Sequence, residues 1–186
     1  MSALRDVLTD LSTFLGERGI QWYVFGAQAV IVFGRPRQTL DVDVTIDVSV
    51  DDASELSSAL HQAGFPARLD EIKTFVRRTR VIPVVHEASG VPVDMILAGP
   101  GLEQEFLERV VNVDVQETSI PFISPEDLTA IKILAGRPKD LEDVRGILEK
   151  QGPSLDETRV RDVLGRLEGA LDLSDLVQTF ESLRRE

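Results

Sequence analysis

The chain has 186 residues, 42% hydrophobic and 28% charged, a composition suited to a globular protein with one substantial core. It has no cysteine, which excludes disulfides, thiol nucleophiles and thiolate metal centres. Its 20 basic and 32 acidic residues give a net charge of −12, which argues against a protein whose main task is to grip duplex nucleic acid. No apolar run approaches a membrane span, and Met1 to Arg18 lacks a basic start followed by an apolar stretch. Neither a membrane segment nor a signal peptide is expected, and a cytoplasmic enzyme fits.

Leu4, Val7, Leu8, Leu11, Phe14 and Leu15 follow helical spacing up to Gly19. Trp22 to Phe25 reads as a buried strand ending at Gly26, and Ala27 to Phe33 as a short apolar helix stopped by Gly34 and Pro36. A clean alternation follows. Asp41, Asp43, Thr45 and Asp47 fall on one face, and Val42, Val44, Ile46 and Val48 on the other, so this strand has one buried and one acidic face. Asp52 to Ala63 is an amphipathic helix. Thr74 to Arg80, Val81 to Glu87 and Val91 to Leu97 read as strands, the last two joined by Ala88-Ser89-Gly90.

Leu102 to Arg109 is a short helix, and Val110 to Val115 with Ser119 to Ile123 a pair of short strands. Ser124-Pro125-Glu126-Asp127 carries a helix start, with a Ser cap, Pro at the first helical position and an acid three residues after the cap. That helix ends at Gly136. Helices over Pro138 to Lys150, Asp156 to Leu167 and Ser174 to Arg185 complete an all-helical C-terminal part. The order predicts an α/β (α+β) fold, with a core over 1–123 and a helical region over 124–186 packed on it.

Two aspartates one residue apart on a strand point the same way, about 7 Å apart. Asp41 and Asp43 at that spacing can converge on hard cations, and Mg²⁺ takes oxygen ligands with substrate phosphate. Asp94, an acid interrupting the apolar strand Val91 to Leu97, is the candidate third carboxylate; the bland alternative is a strand residue paired with an arginine. A helix opening at Gly26 presents free amides and the positive end of its dipole to a phosphate. Other polar residues read more plainly: His61 as surface, His86 as a turn residue at a strand end, Trp22 and Tyr23 as core and rim. Lys73, Arg77, Arg78 and Arg80 form a local basic segment in an acidic chain, read first as a charge-protected edge strand and second as a contact for RNA.

Tyr23-Val-Phe-Gly26-Ala27-Gln-Ala29, followed by Gly34-Arg35-Pro-Arg37-Gln-Thr39-Leu-Asp41-Val-Asp43-Val-Thr-Ile46, resembles the signature of the DNA polymerase beta-type nucleotidyltransferase superfamily. It looks closest to the minimal bacterial enzymes of the abortive-infection toxin (AbiEii-like) type, whose Arg-x-Thr-x-Asp-x-Asp pattern is matched by Arg37, Thr39, Asp41 and Asp43. Leu128 to Val144, with Lys132, Lys139, Asp140 and Asp143, resembles the second block of such enzymes. The resemblance covers about residues 20 to 147.

It implies a nucleotidyltransferase-type mixed sheet flanked by helices and transfer of a nucleoside monophosphate from an NTP to an acceptor hydroxyl. Two Mg²⁺ ions would be held by Asp41, Asp43 and Asp94, with Asp94 also helping to deprotonate the acceptor. Gly26 and Ala27 amides, Arg37, Thr39, Lys132 and Lys139 would serve the nucleotide; for Lys132 the alternative is a lysine snorkelling from an apolar helix face. Asp140 and Asp143 read first as charges at the start of the next helix. The acceptor stays open among an RNA or tRNA end, a protein and a small molecule. The toxin-like branch further implies an antitoxin protein as partner. Ala27 departs from the usual Ser or Gly, keeping the amide but losing a hydroxyl. It supports the alternative of a catalytically degenerate nucleotide-binding or protein-interaction module.

Overall fold

A computed structural model describes residues 3–185, and the chain divides into two compact units. The first comprises residues up to Ala27 together with Thr39–Phe122, and the second Gln28–Gln38 with Ile123 onward.

The first unit is built on a six-stranded mixed sheet in the order β3-β4-β2-β1-β6-β5. The strands are β1 (Trp22–Phe25), β2 (Val42–Ile46), β3 (Val81–His86), β4 (Val91–Leu97), β5 (Val111–Val115) and β6 (Thr118–Phe122). β2 pairs antiparallel with β1 and parallel with β4, while β1 pairs parallel with β6. The hairpins β3–β4 and β5–β6 close the two sides. The mixed sheet with helices is the expected α/β fold class.

Register explains the core. Ile82 and Val84 stand opposite Met95 and Val93, which stand opposite Val44 and Val42, and Val44 in turn stands opposite Val24. All seven are fully buried, so one apolar stripe crosses the sheet. Helix α1 (Ala3–Glu17) contacts β4 and β6 and buries Val7, Leu8, Leu11, Phe14 and Leu15, the residues of its predicted stripe. His86 is buried at the end of β3, where its Nδ1 and Ser89 Oγ are 2.7 Å apart and its Nε2 and Asp10 Oδ2 2.9 Å apart; it ties the β3–β4 turn to α1. The remaining helices of this unit are α3 (Ala53–Gln62), α4 (Ile72–Thr79) and α5 (Leu102–Glu108), with α2 (Gly26–Phe33) starting here.

One expected strand is a helix. The Thr74 to Arg80 segment forms α4 because Ile72, Phe75, Val76 and Thr79 recur at helical spacing, with Val76 buried against α3 and β3. The basic positions that suggested alternation include an i,i+4 pair, Lys73 and Arg77, on a helix. The helix ends at Arg80, which takes the left-handed conformation (φ 58°) and donates 2.6 Å from Nη2 to the Ala98 carbonyl.

The second unit is helical: the rest of α2, then α6 (Pro125–Ala135), α7 (Pro138–Gln151), α8 (Glu157–Leu171) and α9 (Leu176–Leu183). α6 starts and stops as its sequence predicts. Ser124 Oγ accepts from the Asp127 amide at 3.1 Å, Pro125 opens the first turn, and Gly136 closes the helix at φ 62°. Leu128, Ile133, Val144, Ile147, Val160, Val163, Leu164 and Phe180 fill the core between these helices. Residues 34–35 approach α7 through two glycines. A Cβ on Gly34 would lie 3.1 Å from Ile147 Cγ1, and one on Gly146 would lie 3.0 Å from the Arg35 backbone nitrogen. Among the described residues no helix is long and apolar enough to cross a membrane.

Candidate functional site

In the first unit, the centre of the sheet gathers the acidic residues on the face opposite the apolar stripe. Asp43 lies on β2 between β1 and β4, with Phe25 as its β1 partner and Asp94 as its β4 partner. Adjacent strands are about 4.8 Å apart and paired residues share a face, so the Asp43 and Asp94 carboxylates stand side by side. Both are partly exposed while Val42, Val44, Val93 and Met95 behind them are fully buried.

Gly26 is fitted to Asp43. It starts α2 in the left-handed region, at φ 64°, and the position a Cβ would take collides with Asp43 Oδ2 and lies 3.0 Å from Asp43 Cγ. The β1–α2 turn therefore rests its backbone against the carboxylate, which only glycine permits. Substituting Gly26→Ala is expected to cost about 1–2 kcal/mol from backbone conformation alone, before the displaced carboxylate is counted. Urea denaturation checks this, and an unchanged midpoint would show that the turn and Asp43 yield freely.

The other two carboxylates have their own partners. Thr39 Oγ1 donates a short hydrogen bond to Asp41 Oδ1. Arg68 Nη2 makes a short charged hydrogen bond to Asp94 Oδ1, with both side chains a little over one-third exposed. Arg68 was not singled out by the sequence pattern. It is carried to Asp94 because residues 66–68 line up along β3, through an Ala67–Val84 bridge and an Arg68 amide donating 2.9 Å to the Pro83 carbonyl. No local signal marks such a loop arginine.

The donors fit a hard cation in kind, since all are carboxylate oxygens and two stand in register on adjoining strands. As they stand, no three His, Cys, Asp or Glu side chains among the described residues are grouped closely enough to hold an ion. Arg68 on Asp94 and Thr39 on Asp41 are the contacts that would have to rearrange.

In the second unit, Lys132 on α6 is 6% exposed, so it does not snorkel. Its Nζ donates 2.9 Å to Asp140 Oδ1 and 2.8 Å to Asp143 Oδ2, both on α7 and both buried. Asp143 also accepts from Arg37 Nε at 3.0 Å, and Asp140 makes a short contact with Arg137. Burial pushes the Asp140 carboxyl up, but the hydrogen bonds from Arg137 and Lys132 outweigh it and hold the group below the ordinary carboxylate range. Asp140 and Asp143 therefore do not act chiefly as helix-start charges. They are the anionic half of a buried network joining α6, α7 and Arg37. Arg35 likewise reaches α7, through Glu142 at 2.8 Å and Glu149 at 2.7 Å. Lys139 is exposed on the first turn of α7.

A family described as nucleotidyltransferase of unknown function (DUF6036) matches residues 2–151. No curated protein matches the chain. Among solved structures, the fold is similar to that of the antibiotic-resistance factor ANT(2'')-Ia, with TM-score 0.62, 13% identity, and 91% of this chain and 93% of that one covered. An antigenic nucleotidyltransferase-like protein from Paracoccidioides brasiliensis aligns at TM-score 0.55 and 20% identity, over 95% of this chain and 92% of that one. The lincosamide antibiotic adenylyltransferase LnuA aligns at TM-score 0.53 and 12% identity, over 79% of this chain and 96% of that one.

Proposed function

The chain belongs to the nucleotidyltransferase family DUF6036, and we propose from that premise that it moves a nucleoside monophosphate from an NTP to an acceptor hydroxyl at the Asp41, Asp43 and Asp94 face. The observation that carries the reading is the parallel register of Asp43 with Asp94, beside a helix start at Gly26 that leaves room for nothing but the Asp43 carboxylate.

In the proposed reaction the acceptor oxygen bonds to the α-phosphorus, the bond from that phosphorus to the bridging oxygen breaks, and pyrophosphate leaves. Asp41, Asp43 and Asp94 are the residues that would hold two Mg²⁺ ions. When bound, such ions neutralise the triphosphate and stabilise the leaving pyrophosphate. Asp94 accepts the acceptor hydroxyl's proton once Arg68 has released it. The Gly26 and Ala27 amides, at the start of α2, would offer N–H groups and the positive end of the helix dipole to a phosphate. Thr39 orients Asp41. Arg37, Lys132 and Lys139 as nucleotide contacts, and a toxin role with an antitoxin partner, rest on the resemblance of the two sequence blocks.

Titration with each NTP in the presence and absence of Mg²⁺, followed by incubation with α-labelled NTP and cellular RNA, protein or small-molecule hydroxyls, tests the reading. Mg²⁺-dependent NTP binding and label transfer are expected. A protein that neither binds NTP nor labels any acceptor would sink it, in favour of a non-catalytic interaction module.

A further inference from the structure

We propose that the exposed face of α4, with the groove beside it, is the docking surface for a single-stranded RNA end, and that RNA is the acceptor class; this rests on the reading of the Asp41, Asp43 and Asp94 face given above.

The first ground is charge. Most basic side chains of this acidic protein are committed to a partner. Arg35, Arg37, Arg68, Arg159 and Arg161 bind carboxylates, while Arg80 and Lys150 donate to backbone carbonyls. Lys73, Arg77 and Arg78 on α4 are exposed and, among the described residues, have no ion pair or hydrogen-bonded side-chain partner. Asp51 lines the small cleft beside Lys73 and Arg77 but does not pair with them. At 100° per residue, Lys73, Arg77, Thr74 and Arg78 occupy adjoining sectors of the helix, so the cations form one continuous face. Three adjoining cations held in no ion pair, in a chain of net charge −12, point to a polyanion held locally and repelled elsewhere, which orients it as well as binding it.

The second ground is shape. A groove of about 380 Å³ runs along the same helix, lined by Leu69, Asp70, Thr74, Phe75 and Arg78. Phe75 is half-buried there and Leu69 is 42% exposed, which gives an aromatic and an aliphatic surface for an unstacked base. Asp70 and Glu71, which also line the groove, repel phosphate, so the backbone follows the cation side and the base enters the groove. The same carboxylates accept hydrogen bonds from 2′-hydroxyls, which RNA carries and DNA lacks.

The third ground is position. The groove begins at Leu69, the residue after Arg68, whose guanidinium lies on Asp94. The chain thus links the start of the groove directly to the arginine that covers the carboxylate assigned to the acceptor proton.

Fluorescence anisotropy with a short 5′-fluorescein oligouridylate, its DNA counterpart, and Lys73→Gln/Arg77→Gln/Arg78→Gln protein tests the proposal, with Mg²⁺–NTP binding measured alongside. Wild type is expected to bind the RNA more tightly than the DNA. The triple variant should bind it roughly tenfold more weakly, with a log affinity against log salt slope shallower by about 2, since each phosphate contact on a single strand contributes ~0.7. Phe75→Leu should weaken RNA binding without changing that slope. NTP binding should be unaffected in all variants. Absence of RNA binding by wild type, an unchanged slope in the triple variant, or equal binding of DNA overturns the proposal. If RNA docks as expected but NTP does not bind, the catalytic reading fails instead.

Discussion

Replacing Asp43 by Asn is expected to reduce nucleotide transfer by about three orders of magnitude while leaving the fold intact. The substitution keeps the side-chain volume against Gly26, so the β1–α2 turn need not move. What it removes is the central anionic oxygen pair, flanked by Asp94 on the neighbouring strand. Charge stabilisation of this kind supplies several kcal/mol in the transition state, and ~1.4 kcal/mol corresponds to a factor of ten. Label transfer and Mg²⁺-dependent NTP binding measured on Asp43→Asn protein, with circular dichroism and urea melting as fold controls, give the answer. Full transfer by a folded variant would remove Asp43 from the chemistry.

The largest effect on stability is expected at Lys132→Met. The methionine fills the space of the lysine stem but leaves Asp140 and Asp143 buried without the ammonium they share. Breaking one side of a buried ion pair typically costs about 3–5 kcal/mol. Arg137 and Arg37 still serve these two carboxylates, which places the expected loss near the lower end, about 3 kcal/mol. A loss below about 1 kcal/mol in urea denaturation would show that the arginines suffice.

The same network sets an acid limit. The Asp140 carboxyl titrates lower in the folded chain than in the unfolded one, so the unfolded state binds the proton more readily. Its stabilisation is therefore complete above the ordinary carboxylate pKa, near pH 4, and is lost as pH falls through the lower folded value. Wild-type stability should drop in that window, and Asp140→Asn should remove part of the drop.

Local sequence specifies an element where all its determinants fall within a few residues. The α6 start, Ser124-Pro125 with Asp127, is legible because cap, proline and acid act within one turn. β2 is legible because Val42, Val44 and Ile46 alternate with polar residues and together take the core face. α4 is ambiguous in sequence because Lys73 to Arg80 fits both a period of two and a helical repeat, and its few buried contacts against α3 and β3 decide between them. Arg68 on Asp94, and Arg35 and Arg37 on α7 acids, are pairings across 26 and more than 100 residues. Only the assembled fold brings such partners together, so no short window of sequence records them.

The division of the chain within α2 bears on how this enzyme can be cut and recombined. Residues 28–38 belong to the helical unit, where Arg35 holds Glu142 and Glu149, Arg37 holds Asp143, and the Phe33 carbonyl accepts from Gln151 at 2.8 Å. A fragment ending at Phe122 would carry that stretch away from every one of these partners, and a fragment starting at Ile123 would leave its acids without Arg35 and Arg37. The helical unit is thus not an add-on that a gene fusion could attach or exchange at a single junction. It is inherited in two pieces, with the carboxylate strand β2 encoded between them.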